Sequence, residues 1–321
     1  YKINTNNRLF LSGYFGRDAF ELGENFSSSY GNSTANLRWN HIFNDKLFSN
    51  LSAIYSKYDY ELGITSAEFD WVSSITNYNL KYDLKYYFSD AFKLDFGASG
   101  IHYEFDPGEI IPTTETSSVN PLVLDKKRAL ETGVYINAEH KLTEKLTAQY
   151  GLRYSAFSRL GGQPMTEYAN NQPVVYNEDL GIYERGEAIG ETVYEKGDAI
   201  KTFGNLEPRA SLAYTINDNS SLKAGFSRVA QYIHLLSNTS SATPLDVWTP
   251  SGQYIDPQLS NQYALGYFRN FKNKAYSMEA EIYYKNTDNR IDYIDGSDLI
   301  GQNTIETEIL KGESRAYGLE L

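Results

Sequence analysis

The sequence predicts an all-β protein, an antiparallel transmembrane β-barrel of which this chain forms a partial segment of about twelve strands. One observation is a regular alternation of apolar and polar residues. In residues 146–154 the apolar positions are Leu146, Ala148, Tyr150, Leu152 and Tyr154. Successive side chains of a strand point to opposite faces, so this strand has one apolar and one polar face. A sheet with an apolar outside and a polar inside is typical of a barrel in lipid.

The same alternation marks each predicted strand along the chain. The predicted strands are residues 7–16, 33–43, 47–60, 70–88, 92–104, 128–142, 145–157, 204–216, 220–230, 258–270, 274–287 and 312–321. Several exceed the roughly 9–11 residues that a strand needs to cross a bilayer. Residues 70–88 are the clearest case, and we expect them to project beyond the membrane.

The connections between these strands are of two kinds. Short ones, rich in Asn and Asp, have typical turn chemistry and lie at residues 44–46, 89–91, 143–145, 217–220 and 271–274. Long ones lie at residues 17–32, 61–69, 105–127, 158–203, 231–257 and 288–311. Long and short alternate strictly, which places every long loop at one end of the sheet. Up-and-down outer-membrane barrels have this asymmetry, whereas a soluble propeller or sandwich has no reason for it.

Composition is compatible with this fold and excludes other classes. The chain is 41% hydrophobic and 15% aromatic, with 28 Tyr. Its mean hydropathy of -0.50 suits a barrel, because only alternate strand residues face lipid and the loops are polar. The absence of cysteine excludes disulfides and thiol chemistry. A net charge of -12 argues against a nucleic-acid partner.

Aromatic residues collect near the ends of two predicted strands. They are Tyr55, Tyr58, Tyr60, Tyr86, Tyr87 and Phe88. Amphipathic rings favour the membrane–water interface, so we interpret them as girdle residues. The alternative is ordinary cross-strand aromatic pairing in a soluble sheet. The girdle is favoured because so many strands repeat the pattern.

Beyond these patterns, the second half of the chain resembles a known family. The segments that carry the resemblance are NLEPRASLAYTINDNSSLKAGFSRVAQYIHLLSN (205–238), PLDVWTPSG (244–252), DPQLSNQYALGYFRNF (256–271), EIYYKNTDNRIDYIDG (281–296) and GESRAYGLEL (312–321). They resemble the barrel of TonB-dependent outer-membrane receptors, and most closely those of Bacteroidetes-type bacteria. The resemblance is specific over residues 205–321 and generic before them.

The resemblance implies both architecture and function. Receptors of this family have a barrel of about 22 strands, so residues 1–321 correspond to a single barrel segment without the plug and terminal strands. We expect the sequence to be truncated at both ends. The implied function is active uptake of a nutrient, such as an iron chelate, a glycan or a peptide, across the outer membrane of a Gram-negative bacterium. The implied partners are outer-membrane lipid, the receptor's own plug, the TonB complex and a surface lipoprotein.

Two charged residues flank a proline on the predicted polar face. Pro208 lacks a backbone donor and is expected at a bulge or an edge position. Glu207 and Arg209 lie on either side of it. Because the family's inner face packs against a plug, we interpret Glu207 and Arg209 as plug contacts. The alternative is a solvated pair that keeps the lumen wet.

The long loop 231–257 contains the candidate ligand-binding residues. They are Gln231, Tyr232, His234, Trp248 and Tyr254. A loop of this length usually has a functional reason, and aromatic and amide side chains suit a ligand at the external mouth. The alternative, that these side chains pack the loop onto its neighbours, is slightly favoured.

Catalytic and metal sites are not predicted. Loop 158–203 is acidic but lacks the oxygen-ligand spacing of a calcium loop, and is expected to be solvated. An anionic ligand such as a ferric siderophore would prefer a basic mouth, so this loop argues weakly against one. The four histidines form no metal-binding pattern, and no nucleophile elbow, phosphate loop or dinucleotide fingerprint is present.

Three other functions stay open at the level of sequence. A passive porin or adhesion-type outer-membrane barrel would use the same strands as a complete small barrel. An outer-membrane barrel enzyme would hide a catalytic group in the polar wall. A soluble all-β binding protein would leave the apolar face to pack against something other than lipid.

Overall fold

The computed structural model describes residues 1–23, 25–237, 247–273, 275–299 and 301–321. The strands of these residues are β1 (Asn7–Leu22), β2 (Phe26–Ile42), β3 (Leu47–Ile64), β4 (Phe69–Ser89), β5 (Phe92–Pro112), β6 (Leu122–Val123), β7 (Lys127–Lys141), β8 (Leu146–Leu160), β9 (Pro164–Tyr168), β10 (Val174–Asn177), β11 (Ile182–Arg185), β12 (Ala188–Val193), β13 (Ala199–Asn217), β14 (Ser220–Gln231), β15 (Ile233–Leu236), β16 (Val247–Pro250), β17 (Gln258–Phe271), β18 (Tyr276–Tyr293) and β19 (Ile309–Glu320). Short 3-10 helices occupy Thr65–Ala67, Ala169–Asn171 and Ile305–Glu308. Among the described residues, no helix has the length and apolar character needed to span a bilayer.

Thirteen of these strands form one antiparallel sheet, in which the short β6 is attached to β5. The other twelve each pair with the next of the twelve along the chain. Their order is β1-β2-β3-β4-β5-β7-β8-β13-β14-β17-β18-β19. The predicted fold class is confirmed, because all twelve predicted strands are present in the predicted order. Within the described residues the first and last strands, β1 and β19, each have a single neighbour, so the sheet is an open segment.

One face of the sheet, called here the apolar face, carries exposed aliphatic side chains in register. Leu11 of β1 is the direct partner of Leu37 of β2. At the far edge Ile282 of β18 lies between Leu265 of β17 and Leu319 of β19. These side chains are exposed, with Leu11 at 81% and Leu319 at 62%. Large aliphatic groups repeated across a sheet without a covering layer indicate a surface that meets lipid.

Aromatic rings border this aliphatic zone at both ends. The end with the long connections is called the loop end, and the other is called the turn end. Near the loop end, the Tyr78 ring lies 5.5 Å from Tyr55 and 6.5 Å from His102. At the turn end, Tyr86, Phe88, Phe92 and His140 form a second row. The eight residue steps from Tyr78 to Tyr86 span roughly 26 Å along the strand, close to the apolar band of about 25 Å in outer-membrane barrels.

The predicted girdle is only partly correct, because neighbouring residues of a strand face opposite ways. Tyr55, Tyr86 and Phe88 lie on the apolar face. Tyr60 points to the polar face and is buried, and its hydroxyl accepts a hydrogen bond from the Trp71 indole at 3.2 Å. Tyr58 packs against the same cluster.

Turns at the turn end are closed by their own side chains. The Asn44 carboxamide oxygen accepts hydrogen bonds from the amides of Lys46 and Leu47 at 2.9 and 3.0 Å. The Thr143 hydroxyl does the same for Lys145 and Leu146. These local bonds explain why the predicted strand ends are accurate here.

Strands at the loop end are longer than predicted. Predicted loop 17–32 is instead the top of a β1–β2 hairpin, in which pairing continues as far as Leu22 and Phe26, and β3 continues to Ile64. The polar, serine-rich composition of these segments suggested a loop. Pairing continues there because each strand finds an antiparallel neighbour, and tertiary pairing overrides local preference. The expected projection of long strands such as β4 beyond the membrane agrees with this geometry.

The loop end also contains the buried apolar clusters. One comprises Tyr60, Leu62, Trp71 and Leu124. A second comprises Phe105, Ala129, Phe157 and Tyr232. The third comprises Leu236, Val247, Ile255, Leu299 and Ile305. The long connections therefore pack onto the strands at this end and give it a fixed surface.

Candidate functional site at the loop end of the sheet

Tyr232, a candidate ligand contact, lies within the packed base of its loop. It is 4% exposed, and its ring stacks flat on Phe157 with centroids 4.8 Å apart. Its hydroxyl accepts a hydrogen bond from the Asn205 amide at 2.9 Å and lies 2.7 Å from the Ser155 hydroxyl. These contacts hold the start of the loop against β8 and β13.

His234 is also enclosed. It is 1% exposed, with Nε2 2.9 Å from the Ser251 hydroxyl and Nδ1 3.2 Å from the Gln258 amide nitrogen. Burial lowers the pKa of His234 to about 4. The imidazole is therefore neutral near pH 7 and joins the two ends of its loop.

The three other predicted loop residues differ in accessibility. Trp248 is partly buried against the Phe157 cluster. Tyr254 donates a hydrogen bond to the Thr166 carbonyl at 3.3 Å and meets the Tyr168 ring edge-on at 5.2 Å. Gln231 is exposed, and its amide donates to the Ile233 carbonyl. Of the five, Tyr254 lines a cavity and Gln231 borders a groove of the polar face.

Four loop-end segments enclose this cavity of about 120 Å³. They contribute Asp125 and Lys127, residues 163–166, residues 249–250 and 252–255, and Asn303, Thr304 and Glu306. Asp125, Lys127, Arg159, Glu191 and Glu306 are its charged lining residues. Segments so distant in the sequence meet here because the sheet brings their flanking strands together. We refer to this space as the mouth cavity.

Two cations of the mouth cavity bind neutral oxygens. Arg159 is 3% exposed, and its Nη1 donates to the carbonyls of Arg128 and Leu160 at 2.9 and 2.7 Å. The Gln163 amide lies against the same guanidinium, with its oxygen positioned to accept. Lys127 is partly buried and donates to the Thr249 hydroxyl at 3.3 Å. Buried cations without a bonded carboxylate are costly, so their shared cavity is a candidate binding site.

Three carboxylates line the same cavity as these cations. The Tyr168 hydroxyl donates to Glu306 at 3.1 Å, and the charge of Glu306 acts on both Lys127 and Arg159. Asp125 is partly buried and Glu191 is exposed. The mouth cavity is therefore lined by two cations and three carboxylates.

A second ion pair fixes the neighbouring loop. Glu308 is 1% exposed and binds Arg185 through Oε1 at 2.5 Å and Oε2 at 3.1 Å. Burial would raise the pKa of Glu308, but the hydrogen bonds from Arg185 and the Asp298 amide lower it below its ordinary value. The charged pair joins the β10–β11 hairpin to the Ile305–Glu308 helix.

On the polar face, Glu207 belongs to a network beneath Tyr232. Its Oε1 accepts a hydrogen bond from Ser155 at 2.6 Å and lies 3.5 Å from Arg153 Nε. Arg153 also binds Glu131 at 3.1 Å. Glu207 is 6% exposed, and its Oε2 also accepts a hydrogen bond from the Ala230 amide at 3.5 Å.

Arg209, the second predicted plug contact, borders this network, because it lines a groove of the polar face together with Glu131, Arg153 and Glu207. It is exposed and also lines a groove of about 480 Å³ on the polar face, together with Asp95 and Glu139. Pro208, between Glu207 and Arg209 in the sequence, lies at the edge of a strand pairing, as expected. Pairing of β13 with β14 begins at Arg209, so Pro208 stands where that ladder stops, without a bulge against β8.

Sequence reasoning missed Lys127, Arg159 and Arg153. Lys127 lies in the run Asp125-Lys126-Lys127-Arg128, which looks like a solvated charge cluster. Arg153 alternates with the apolar positions Leu152 and Tyr154 and so belongs to the polar face, but its two carboxylate partners come from other strands. Gly133 was the available signal, because a Cβ there would lie 2.8 Å from the Arg153 guanidinium.

Comparisons with known proteins agree with this fold. The family model described as "TonB dependent receptor-like, beta-barrel" matches residues 1–321. No curated protein matches the sequence.

Solved structures with the same fold include three outer-membrane receptors. The Serratia marcescens hemophore receptor HasR, in complex with its hemophore HasA and heme, has a TM-score of 0.68 at 13% identity over 99% of this chain and 50% of that chain. The alcaligin receptor FauA of Bordetella pertussis has a TM-score of 0.61 at 16% identity, and the match covers 99% of this chain and 47% of that chain. The ferric-catecholate import receptor Fiu of Escherichia coli K12 has a TM-score of 0.59 at 12% identity, and the match covers 99% of this chain and 53% of that chain.

The chain thus spans about half the length of these neighbours. At such low identity the likeness establishes the fold alone, and the match to the family model carries the assignment. Together with the up-and-down sheet and its exposed apolar face, that match shows that the chain belongs to the TonB-dependent receptor-like β-barrel family of the outer membrane.

Proposed function

We propose that this chain is the ligand-capturing part of a receptor for active, TonB-dependent uptake of a nutrient across the outer membrane of a Gram-negative bacterium. The observation that carries the proposal is the family match over the whole chain. The loop end supports it, because packed loops form an ordered surface with a cavity there. The chain would bind and admit its ligand and perform no covalent chemistry.

The proposal includes strands and a plug beyond this chain. Backbone groups in lipid must be paired, whereas β1 and β19 each have one free edge in the described sheet. We infer that further strands of the receptor pair with these edges. The exposed Arg209 beside Asp95 and Glu139 provides charges for a plug on the polar face. Outer-membrane lipid, the TonB complex and a surface lipoprotein complete the proposed partners.

The proposed nutrient belongs to one of three chemical classes: an iron chelate, a glycan or a peptide. Structural neighbours are named for a hemophore with heme, for alcaligin, for a ferric catecholate and for copper. An iron chelate, a glycan and a peptide are each compatible with a capture surface of this kind.

A passive porin is the rival that experiment has to exclude. An antibody against the exposed hairpin of residues 173–185 would identify the native protein in outer membranes, and the purified protein would then be placed in planar lipid bilayers. We expect a mass about twice 36.4 kDa and no steady ion current, because a plug closes the lumen. A species near 36.4 kDa that conducts steadily would contradict the proposal and support the porin.

A further inference from the structure

The mouth cavity combines charges of both signs within a small volume. Arg159 and Lys127 present guanidinium and ammonium donors whose described partners are carbonyl, amide and hydroxyl oxygens. Charge-assisted hydrogen bonds to a carboxylate are about twice as strong as those to neutral oxygens. A carboxylate entering the cavity would therefore gain contacts that the protein itself does not supply.

Three carboxylates set a second requirement. Glu306, Asp125 and Glu191 line the same cavity, so a ligand with negative charge alone would be repelled as well as attracted. A ligand group that also carries positive charge would satisfy both sets of side chains. Charge complementarity of this kind selects between ligands of similar size.

The size of the cavity limits what can enter. Its volume of about 120 Å³ equals roughly four water molecules at about 30 Å³ each. A group of about five non-hydrogen atoms fits this space, whereas a whole chelate or oligosaccharide does not. The remainder of a larger ligand would lie outside, above the loops.

We propose that the mouth cavity binds a zwitterionic head group of amino-acid type, with its carboxylate on Arg159 and Lys127 and its ammonium facing Glu306 and Asp125. This inference rests on the proposed capture function and specifies the chemistry of the ligand. The captured nutrient carries a free amino-acid head group, and the rest of it contacts the outer surface of the loops. Tyr254 closes one side of the cavity through its contact with Thr166.

Small probes test the charge requirement directly on the full-length receptor in detergent. Equilibrium binding of radiolabelled glycine is measured, with acetate, methylamine and glycinamide as competitors at matched ionic strength. Glycine should bind saturably. Each of the three competitors lacks one of the two charges and should compete at least about tenfold more weakly, the loss expected for one charge-assisted hydrogen bond.

Variants then assign the binding to these side chains. Lys127→Gln and Arg159→Gln should each weaken glycine binding about tenfold or more, and Glu306→Gln should weaken glycine but not acetate. The matched control is Lys126→Gln. It removes the adjacent lysine, which binds Asp106 at 3.0 Å and is not part of the cavity lining. If Arg159→Gln does not fold, the Lys127 and Glu306 variants and the competitor series still decide the outcome.

Several results would overturn the inference. Acetate competing as well as glycine would show a simple oxyanion site, and equal weakening by Lys126→Gln would show a general charge effect. Absence of saturable glycine binding would leave Lys127 and Glu306 as structural groups only. The proposed uptake function fails separately, through a steady bilayer current and a mass near 36.4 kDa, neither of which depends on glycine.

Discussion

Arg153 is the residue that joins the polar face to the loop above it. It binds Glu131 and Glu207, and Glu207 in turn accepts from Ser155, which contacts Tyr232. The side chain of Glu207 is 8% exposed. The Arg153 guanidinium compensates the charges of both Glu131 and Glu207. Its removal would leave these carboxylates uncompensated, which is strongly unfavourable for buried charges.

Replacing Arg153 therefore has a larger cost than replacing an exposed cation of the same face. Arg153→Met should lower the free energy of unfolding by about 2 kcal/mol, less than the full cost of a broken buried pair because Arg153 is partly exposed. Urea unfolding in detergent micelles measures this. The control Lys81→Met breaks an exposed pair with Asp83 and should cost about 0–1 kcal/mol. Equal losses for the two variants would contradict this role for Arg153.

His234 makes the stability of its loop depend on pH. Its pKa is lowered from 6.5 to about 4, so between these values the unfolded loop binds a proton that the folded loop excludes. Stability is complete above pH 6.5 and decreases as the pH falls toward 4. At pH 5 the expected loss is about 2 kcal/mol.

Hydrogen exchange at pH 7 and pH 5, over residues 232–237 and 247–257, measures this loss after correction for intrinsic rates. His234→Gln should remove the pH dependence, whereas His140→Gln at the turn end should retain it. A wild-type loop with equal protection at both pH values would show that His234 is not a titrating element of the loop.

The ends of strands were predictable from the sequence where residues of the adjacent turn determine them. Asn44 and Thr143 close their turns by bonding to amides two and three residues away, so composition alone places these ends. At the loop end, β1 and β2 continue through segments rich in serine because each pairs with the other. That pairing is a property of two segments and has no local signature.

Among the described residues, the Arg185–Glu308 ion pair joins the β10–β11 hairpin to the Ile305–Glu308 helix. Glu308→Gln removes the charge that binds Arg185 and should free the hairpin, because bonds to charged groups are worth about 1.5–3 kcal/mol. Limited proteolysis at residues 173–185 should be several-fold faster in this variant, a ratio that corresponds to about 1 kcal/mol.

The control for this prediction is Glu187→Gln, which changes an exposed carboxylate of the same loop and should leave the cleavage rate unchanged. The Arg185–Glu308 ion pair of the wild-type protein should also weaken in acid. The pKa of Glu308 lies below its ordinary 4.5, so its stabilisation is complete above pH 4.5 and is lost as the pH falls through the lower folded value. Cleavage that is insensitive to Glu308→Gln would mean that other contacts position the hairpin.

At the scale of the whole molecule, the alternation of side chains was sufficient to predict the fold, whereas the site was not predictable. Alternation is repeated in every strand, and each repeat supports the same two-faced sheet. The mouth cavity instead brings Asp125 and Lys127 together with residues 163–166, 252–255 and 303–304. No spacing within the sequence encodes their meeting, which depends on the order of strands and the packing of three loop clusters.

The assignment of the two faces is the claim on which the rest depends, and the absence of cysteine makes it directly testable. Single cysteines at each position from 147 to 154 of β8, labelled with a nitroxide in lipid bilayers, report contact with oxygen in lipid or with a water-soluble nickel complex. We expect the labels at Ala148, Tyr150, Leu152 and Tyr154 to contact oxygen in lipid. The labels at the other four positions should contact the nickel complex or be buried in protein. Oxygen contact without a period of two residues, or water contact on both faces, would contradict the assignment.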